Sequence, residues 1–161
     1  VLSIFKAMNE LKEETVESSE MVKQTFAFWF TDQNHLRTPF PEYIRAPLQA
    51  NATARFFRWA GALNEEAKNE LNDEAIGEKF EEIIFEEAMK LVLTEDEKLT
   101  ILYPFLPRIG DPIDETKEEL PGKSLVIDRS ISKKKDHSFM HLTLERQTTK
   151  EKWETSFELP H

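Results

Sequence analysis

The stretch Glu78–Leu93 constrains the fold of this chain more than any other. Phe80, Ile83, Ile84, Ala88, Leu91 and Val92 recur at the i, i+3, i+4 spacing that gathers side chains on one side of a helix, and Phe85 and Met89 widen that side. An apolar arc of this breadth can be packed from two directions. Lys79, Glu82, Glu86 and Lys90 fall opposite and predict a solvent-facing side, with Glu86 and Lys90 ordered for an i,i+4 pair.

A helix packed from two directions needs partners, and the segments before it supply them. Val1, Ile4, Phe5, Met8 and Leu11 mark a first amphipathic helix, and Val22, Phe26, Trp29 and Phe30 a second that runs to about Thr31. Phe26, Phe28 and Phe30 also alternate, so a strand is the competing reading there. Pro41 and Pro47 each suit a first helical turn, which predicts one turn over Glu42–Arg45 and then a longer helix from Pro47 to about Ala62. A short helix through Glu65–Leu71 follows, with Asn72 or Asp73 capping the central helix. Thr94-Glu95-Asp96-Glu97 has the spacing of a capping box and starts a last helix toward Phe105.

Beyond residue 106 the pattern changes. Residues 107–122 intersperse Pro107, Pro112, Pro121, Gly110 and Gly122 with acids and read as a loop or linker holding at most one short turn of helix. From residue 123 the apolar period becomes two. Leu125, Ile127 and Ile131, then Met140, Leu142 and Leu144, then Trp153, Thr155, Phe157 and Leu159 predict a three-stranded antiparallel meander with one apolar face, turning at Lys133–Asp136 and Gln147–Lys150. The expected fold is α+β: about five helices in residues 1–106, a linker over 107–122, and a three-stranded sheet over 123–161 packed on the helices as one domain.

Charge limits the partners. The net charge is −10, from 31 acids against 21 Lys and Arg, which makes nucleic acid an unfavourable partner. Residues 64–98 carry 13 acids and 4 lysines, so most of the excess lies on the central helix and its flanks. A protein partner with a basic surface fits that distribution, docking on the side that bears Glu78, Glu82 and Glu86. No cysteine is present, which removes disulfides and thiolate chemistry. No apolar run approaches a bilayer span. A cytoplasmic location is the expectation, with export left open because the sequence begins at Val1.

Catalytic patterns are poorly formed. The sheet register brings Asp128, His141 and Ser156 near one another, but in mid-strand, without a sharp turn or an oxyanion hole. His137 and His141 share a strand face, and Asp32 stands three residues before His35, yet neither pair has a metal-binding frame. Glu81, Glu82, Glu86 and Glu87 lack the Glu-x-x-His spacing of dimetal bundles. No metal or cofactor is expected. Lys133-Lys134-Lys135 at a hairpin tip reads either as a phosphate-touching loop or as edge protection.

Glu81 and Glu87 fall within or beside the apolar arc, and a carboxylate there needs a partner or a proton. Arg45, Arg55 and Arg58 on the aromatic-rich helix can supply the partner. The same residues allow a second reading, in which Arg45, Arg55, Arg58, Trp59 and Glu87 form a ligand pocket between that helix and the sheet. Three functions thus remain open: a non-enzymatic accessory, adaptor or regulatory protein with an acidic helix face, a small-molecule-binding or enzymatic domain, and a nucleic-acid-binding regulator. The first is favoured, and the sequence fixes no oligomeric state.

Overall fold

The computed structural model describes residues 16–34, 36–114 and 123–160, with side chains described from residue 20 onward. The helix expected over Val1–Leu11 lies outside these residues. The fold is α+β, with helices in the N-terminal part and an antiparallel, curled, half-barrel sheet in the C-terminal part. Contacts divide the chain into a unit ending at Pro104 and a second beginning at Phe105.

Among the described residues the first unit holds α1 (Val16–Trp29), α2 (Glu42–Ala62), α3 (Glu65–Glu70), α4 (Asp73–Leu91) and α5 (Glu95–Leu102). On α4, Ile76, Phe80, Ile83, Ile84 and Ala88 are buried, with Val92 just beyond, as the periodicity requires. Phe85, Met89 and Leu91 pack at the margin. The facing side of α2 is an unbroken i,i+4 row, Ile44, Leu48, Ala52, Phe56 and Ala60, a ridge suited to lie in the grooves of another helix. Phe56 stacks on Phe80 at 4.6 Å, and Phe26 from α1 meets the same ring edge-on at 5.6 Å. Trp29 and Phe40 close on Phe85 at 4.9 and 5.1 Å. These contacts settle the competing readings of residues 26–30 in favour of helix: the three-residue step from Phe26 to Trp29 buries both, while Phe28 between them stays 47% exposed.

Pro47 departs from expectation. One helix runs continuously from Glu42 to Ala62 with Pro47 inside it, not one turn followed by a new helix. Pro47 has no N–H to donate to the Tyr43 carbonyl, but Ile44 and Leu48 on either side of the defect are buried, and their packing outweighs the missing bond. The helix starts follow the sequence closely. Asn64 and Asn72 accept from Ala67 N and Ala75 N at 2.7 and 2.8 Å, and Thr94 with Glu97 forms the complete capping box.

The second unit is a four-stranded antiparallel sheet in the order β1 (Pro112–Asp114), β2 (Lys123–Lys134), β3 (His137–Arg146), β4 (Lys152–Glu158). Three strands were expected. The fourth, β1, lies in the segment read as linker, and its three residues, opening on Pro112, are too few to show alternation. Gly110, at φ 93, makes the turn into it and donates from its amide to Val126 O at 2.7 Å.

A second correction concerns β2. Its pairing with β3 shifts between Val126 and Asp128, so Ile127 is an extra residue, a β-bulge. The face shared with buried Met140, Leu142 and Leu144 therefore carries Ser124, Val126, Arg129 and Ile131, and Leu125 lies on the opposite side. A bulge reverses the parity of everything after it, which regular alternation cannot reveal. The β2–β3 turn is also shorter than expected, leaving only Lys135 and Asp136 between paired residues, with Lys135 at φ 58. The connection at Gln147–Lys150 lies where the sequence placed it, closed by Arg146 N donating to Glu151 O at 2.9 Å.

Candidate functional site

The acid-rich helix α4 and its contacts with α2 hold most of the residues singled out by the sequence. Glu87 lies on the buried arc of α4, 8% exposed, and accepts from Arg55 Nη1 at 3.0 Å and from Lys90 Nζ at 2.6 Å. The second guanidinium nitrogen of Arg55 reaches Glu86 at 2.5 Å. One arginine thus bridges two successive carboxylates, the fork geometry that a lysine could not reproduce. Lys90 and then Arg55 hold the Glu87 carboxyl below its ordinary range against the opposing effect of burial. Arg55 likewise lowers Glu86. The internal ion pair expected for Glu87 is present, and Lys90 completes it instead of pairing with Glu86.

Glu81 behaves differently. It lies on the exposed side, outside the arc, and its carboxyl is raised, by desolvation first and by the neighbouring Glu78 second. Glu82 pairs loosely with Lys79 at 3.4 Å. Toward the start of α4 and on α3, the side chains of Glu65, Glu66, Glu70, Glu74 and Glu78 are exposed and make no hydrogen bond or ion pair among the described residues. The negative charge expected along Glu78, Glu82 and Glu86 is therefore graded: compensated at Glu86, partly met at Glu82, and bare at Glu78, Glu74, Glu70, Glu66 and Glu65.

The other candidates do not converge. Arg45 donates from Nε to Phe40 O at 3.1 Å and lies over the Phe30 ring at 5.6 Å, near the opposite end of α2 from Trp59. Arg58 is exposed, without a side-chain partner among the described residues. Trp59 packs on Phe56 and is capped by Lys79 Nζ at 5.8 Å. Only Arg55 and Glu87 of that set meet. None of the five lines the shallow groove of about 490 Å³ formed by Val22 and the small residues Ala46, Ala50, Thr53 and Ala54 with Gln49.

On the sheet, Asp128, His141 and Ser156 do share the outer face, at a shallow groove that also includes Ser130, Thr143 and Glu154. His141 Nε2 is engaged with Ser132 Oγ at 2.6 Å, away from Ser156, and Asp128 accepts from the Arg129 amide at 2.9 Å. That order does not make a hydrolytic relay. His137 Nδ1 bonds Glu158, so the two histidines turn to different partners, and the described residues contain no His, Asp and Glu group able to hold a metal ion.

A junction missed by the sequence reading links α2 to the α4–α5 turn. Tyr43 Oη donates to Glu97 Oε2 at 2.7 Å and accepts from Leu93 N at 3.1 Å, while Glu97 Oε1 accepts from Thr94 N and Oγ1 at 3.0 and 2.9 Å. Burial pulls the Glu97 carboxyl upward, but these donors outweigh it and hold it below its usual range. Tyr43 is raised, by desolvation and then by its bond to Glu97. The capping box was legible locally; nothing local shows that a tyrosine 54 residues away completes it.

No described helix is long and apolar enough to cross a membrane. No protein family model, no curated protein and no solved structure matches this chain.

Proposed function

We propose that this is a non-enzymatic interaction protein, of accessory, adaptor or regulatory type, whose acid-rich surface on α3 and the first turns of α4 docks a partner with a basic surface. The observation that carries the reading is the run of exposed, uncompensated carboxylates at Glu65, Glu66, Glu70, Glu74 and Glu78. Glu74, Glu78 and Glu82 stand at i,i+4 intervals, where like charges oppose helix formation by about 0.2–0.5 kcal/mol per pair. A basic partner relieves that repulsion and is steered to this surface at long range, which is how charge raises an association rate. The candidate ligand-binding residues, by contrast, are engaged with one another or with backbone, or lie apart.

The test uses a fluorescent oligolysine peptide as the basic probe, followed by anisotropy and stopped flow with the full chain. Glu70→Gln, Glu74→Gln and Glu78→Gln together are expected to slow association and flatten its salt dependence. A variant with the same charge change on the second unit, Asp136→Asn, Glu145→Gln and Glu154→Gln, is expected to leave both nearly intact. Equal effects from the two triple variants would reduce the surface to a contribution from net charge and overturn the reading.

A further inference from the structure

We propose that β4 is a self-pairing edge: a second copy of this chain joins its own β4 antiparallel to the first, about a two-fold axis at Thr155. β4 belongs to the second unit and the acidic helices to the first, and the proposal does not depend on the function proposed for those helices.

β4 is the outer strand of the sheet, in unbroken register with β3 from Phe139↔Glu158 to Glu145↔Lys152. Two bonds fix the phase of that ladder: Leu159 N donates to Ser138 O at 2.8 Å and Arg146 N to Glu151 O at 2.9 Å. Antiparallel residues alternate between facing their partner strand and facing away. The odd-numbered residues from 151 to 159 therefore turn their N–H and C=O toward β3, and Lys152, Glu154, Ser156 and Glu158 turn theirs to the open edge. The strand contains no proline and no positive φ. Pro160, the next outward-facing position, has no N–H to offer and ends the strip. Lys150, at φ 63, turns the chain at the other end. At the opposite edge β1 pairs only with Lys123–Leu125, and beyond it β2 is broken by the bulge at Ile127 and ends in Lys133 and Lys134, features that guard an edge against pairing.

The side chains choose the partner and the register. With the axis at Thr155, Glu158, which also bonds His137 Nδ1 within its own chain, stands opposite Lys152 of the partner subunit, Glu154 opposite the partner's Ser156, and Trp153 opposite the partner's Phe157. Trp153 and Phe157 are each half-buried on the face of Leu144 and Met140, but Trp153 donates from Nε1 to Ser124 Oγ at 2.9 Å, so its indole leans inward across β3 and the register rests on the charges. Shifting the axis to Glu154 sets that residue against its own copy, and shifting it to Ser156 sets Glu154 against the partner's Glu158. Axes placed between residues leave outward N–H groups without acceptors. The Thr155 axis pairs every outward residue of β4 within the strand and joins Lys152 to Glu158 at both ends, whereas an axis at Trp153 joins Lys152 to Glu154 but leaves Ser156 and Glu158 beyond the paired strand.

Analytical ultracentrifugation of the full chain, from about 1 µM to about 1 mM, reads the association directly. A reversible monomer–dimer equilibrium is expected. Ser156→Pro removes an outward N–H that the β3 ladder does not use, and should raise the dissociation constant at least about tenfold with little change in the thermal melt. Lys152→Glu should weaken the dimer, as should Glu158→Lys, and the two together should restore it by exchanging the signs across the axis. A chain that stays monomeric throughout overturns the proposal, as does a dimer indifferent to both Ser156→Pro and Lys152→Glu. A folded double charge-reversal variant that does not recover association overturns the register.

Discussion

Arg55 on α2 and Glu87 on α4 meet at 3.0 Å, and the same guanidinium holds Glu86 at 2.5 Å, so one side chain fastens the two longest described helices beside their shared core. Arg55 is 31% exposed on its side chain and Glu87 11%, which makes the pair intermediate between a surface contact and a buried one. Glu87→Ala is expected to lower unfolding stability by about 1–2 kcal/mol, the scale of a charge-assisted hydrogen bond discounted for partial solvation. Glu86→Ala should cost less, because its carboxylate is exposed. Urea denaturation of the two variants, with Arg55→Ala to close a double-mutant cycle, measures the coupling; no coupling between Arg55 and Glu87 would contradict the bridge.

Acid should separate these carboxylates from Glu81. Glu86, Glu87 and Glu97 have folded-state pKa values below their unfolded ones, so their stabilisation is present above about pH 4.3 and is lost as pH falls through the depressed folded values. Glu81 has the opposite sign: its raised value favours the folded state below its unfolded pKa, and that contribution disappears as pH rises through the folded value. Glu81→Gln is therefore expected to raise unfolding stability slightly at pH 7, by about 0.5 kcal/mol or less after solvent screening, and to have no effect below about pH 4. Calorimetry across pH 3–7 checks both signs.

The Tyr43–Glu97 junction predicts a nonlocal dependence of a local cap. Thr94→Ala should cost about 1 kcal/mol through the lost N-cap. Tyr43→Phe leaves the capping box intact yet removes the donor to Glu97 and one of the two acceptors of Leu93 N, the other being Glu97 Oε1 at 3.2 Å. It should increase amide exchange at Leu93 specifically, and unchanged protection there would show that the contact does not hold the turn in solution.

The bulge at Ile127 makes neighbouring substitutions unequal. Val126 is 1% exposed and faces Leu144, so Val126→Thr should destabilise the sheet by about 1–2 kcal/mol through an unsatisfied hydroxyl. Leu125→Thr falls on the other face and should cost less than half as much. Regular alternation in the frame of Ile131 demands the reverse ranking, so denaturation of the two variants decides between the registers.

Periodicity, caps and turns set much of this molecule from the sequence alone. The buried arc of α4, the Asn72 cap, the Thr94–Glu97 box and the two later hairpins depend on residues a few positions apart, and local spacing suffices to specify them. That Glu87 needs a counter-charge follows from its place in the arc, which is also a local fact. Other outcomes required the assembled structure. Pro47 stays inside a helix because burial of Ile44 and Leu48 on the core outweighs a local rule. Arg55 was chosen over Arg45 and Arg58 by the facing of α2 against α4, and Glu86, still exposed, gains the same arginine as a partner. The extra residue at Ile127 reversed which side of β2 is buried, and β1 exists only because Pro112–Asp114 lies beside Lys123–Leu125. Spacing along a chain fixes what each segment can bury; which charge meets which, and which face turns inward, is decided when segments distant in sequence pack together.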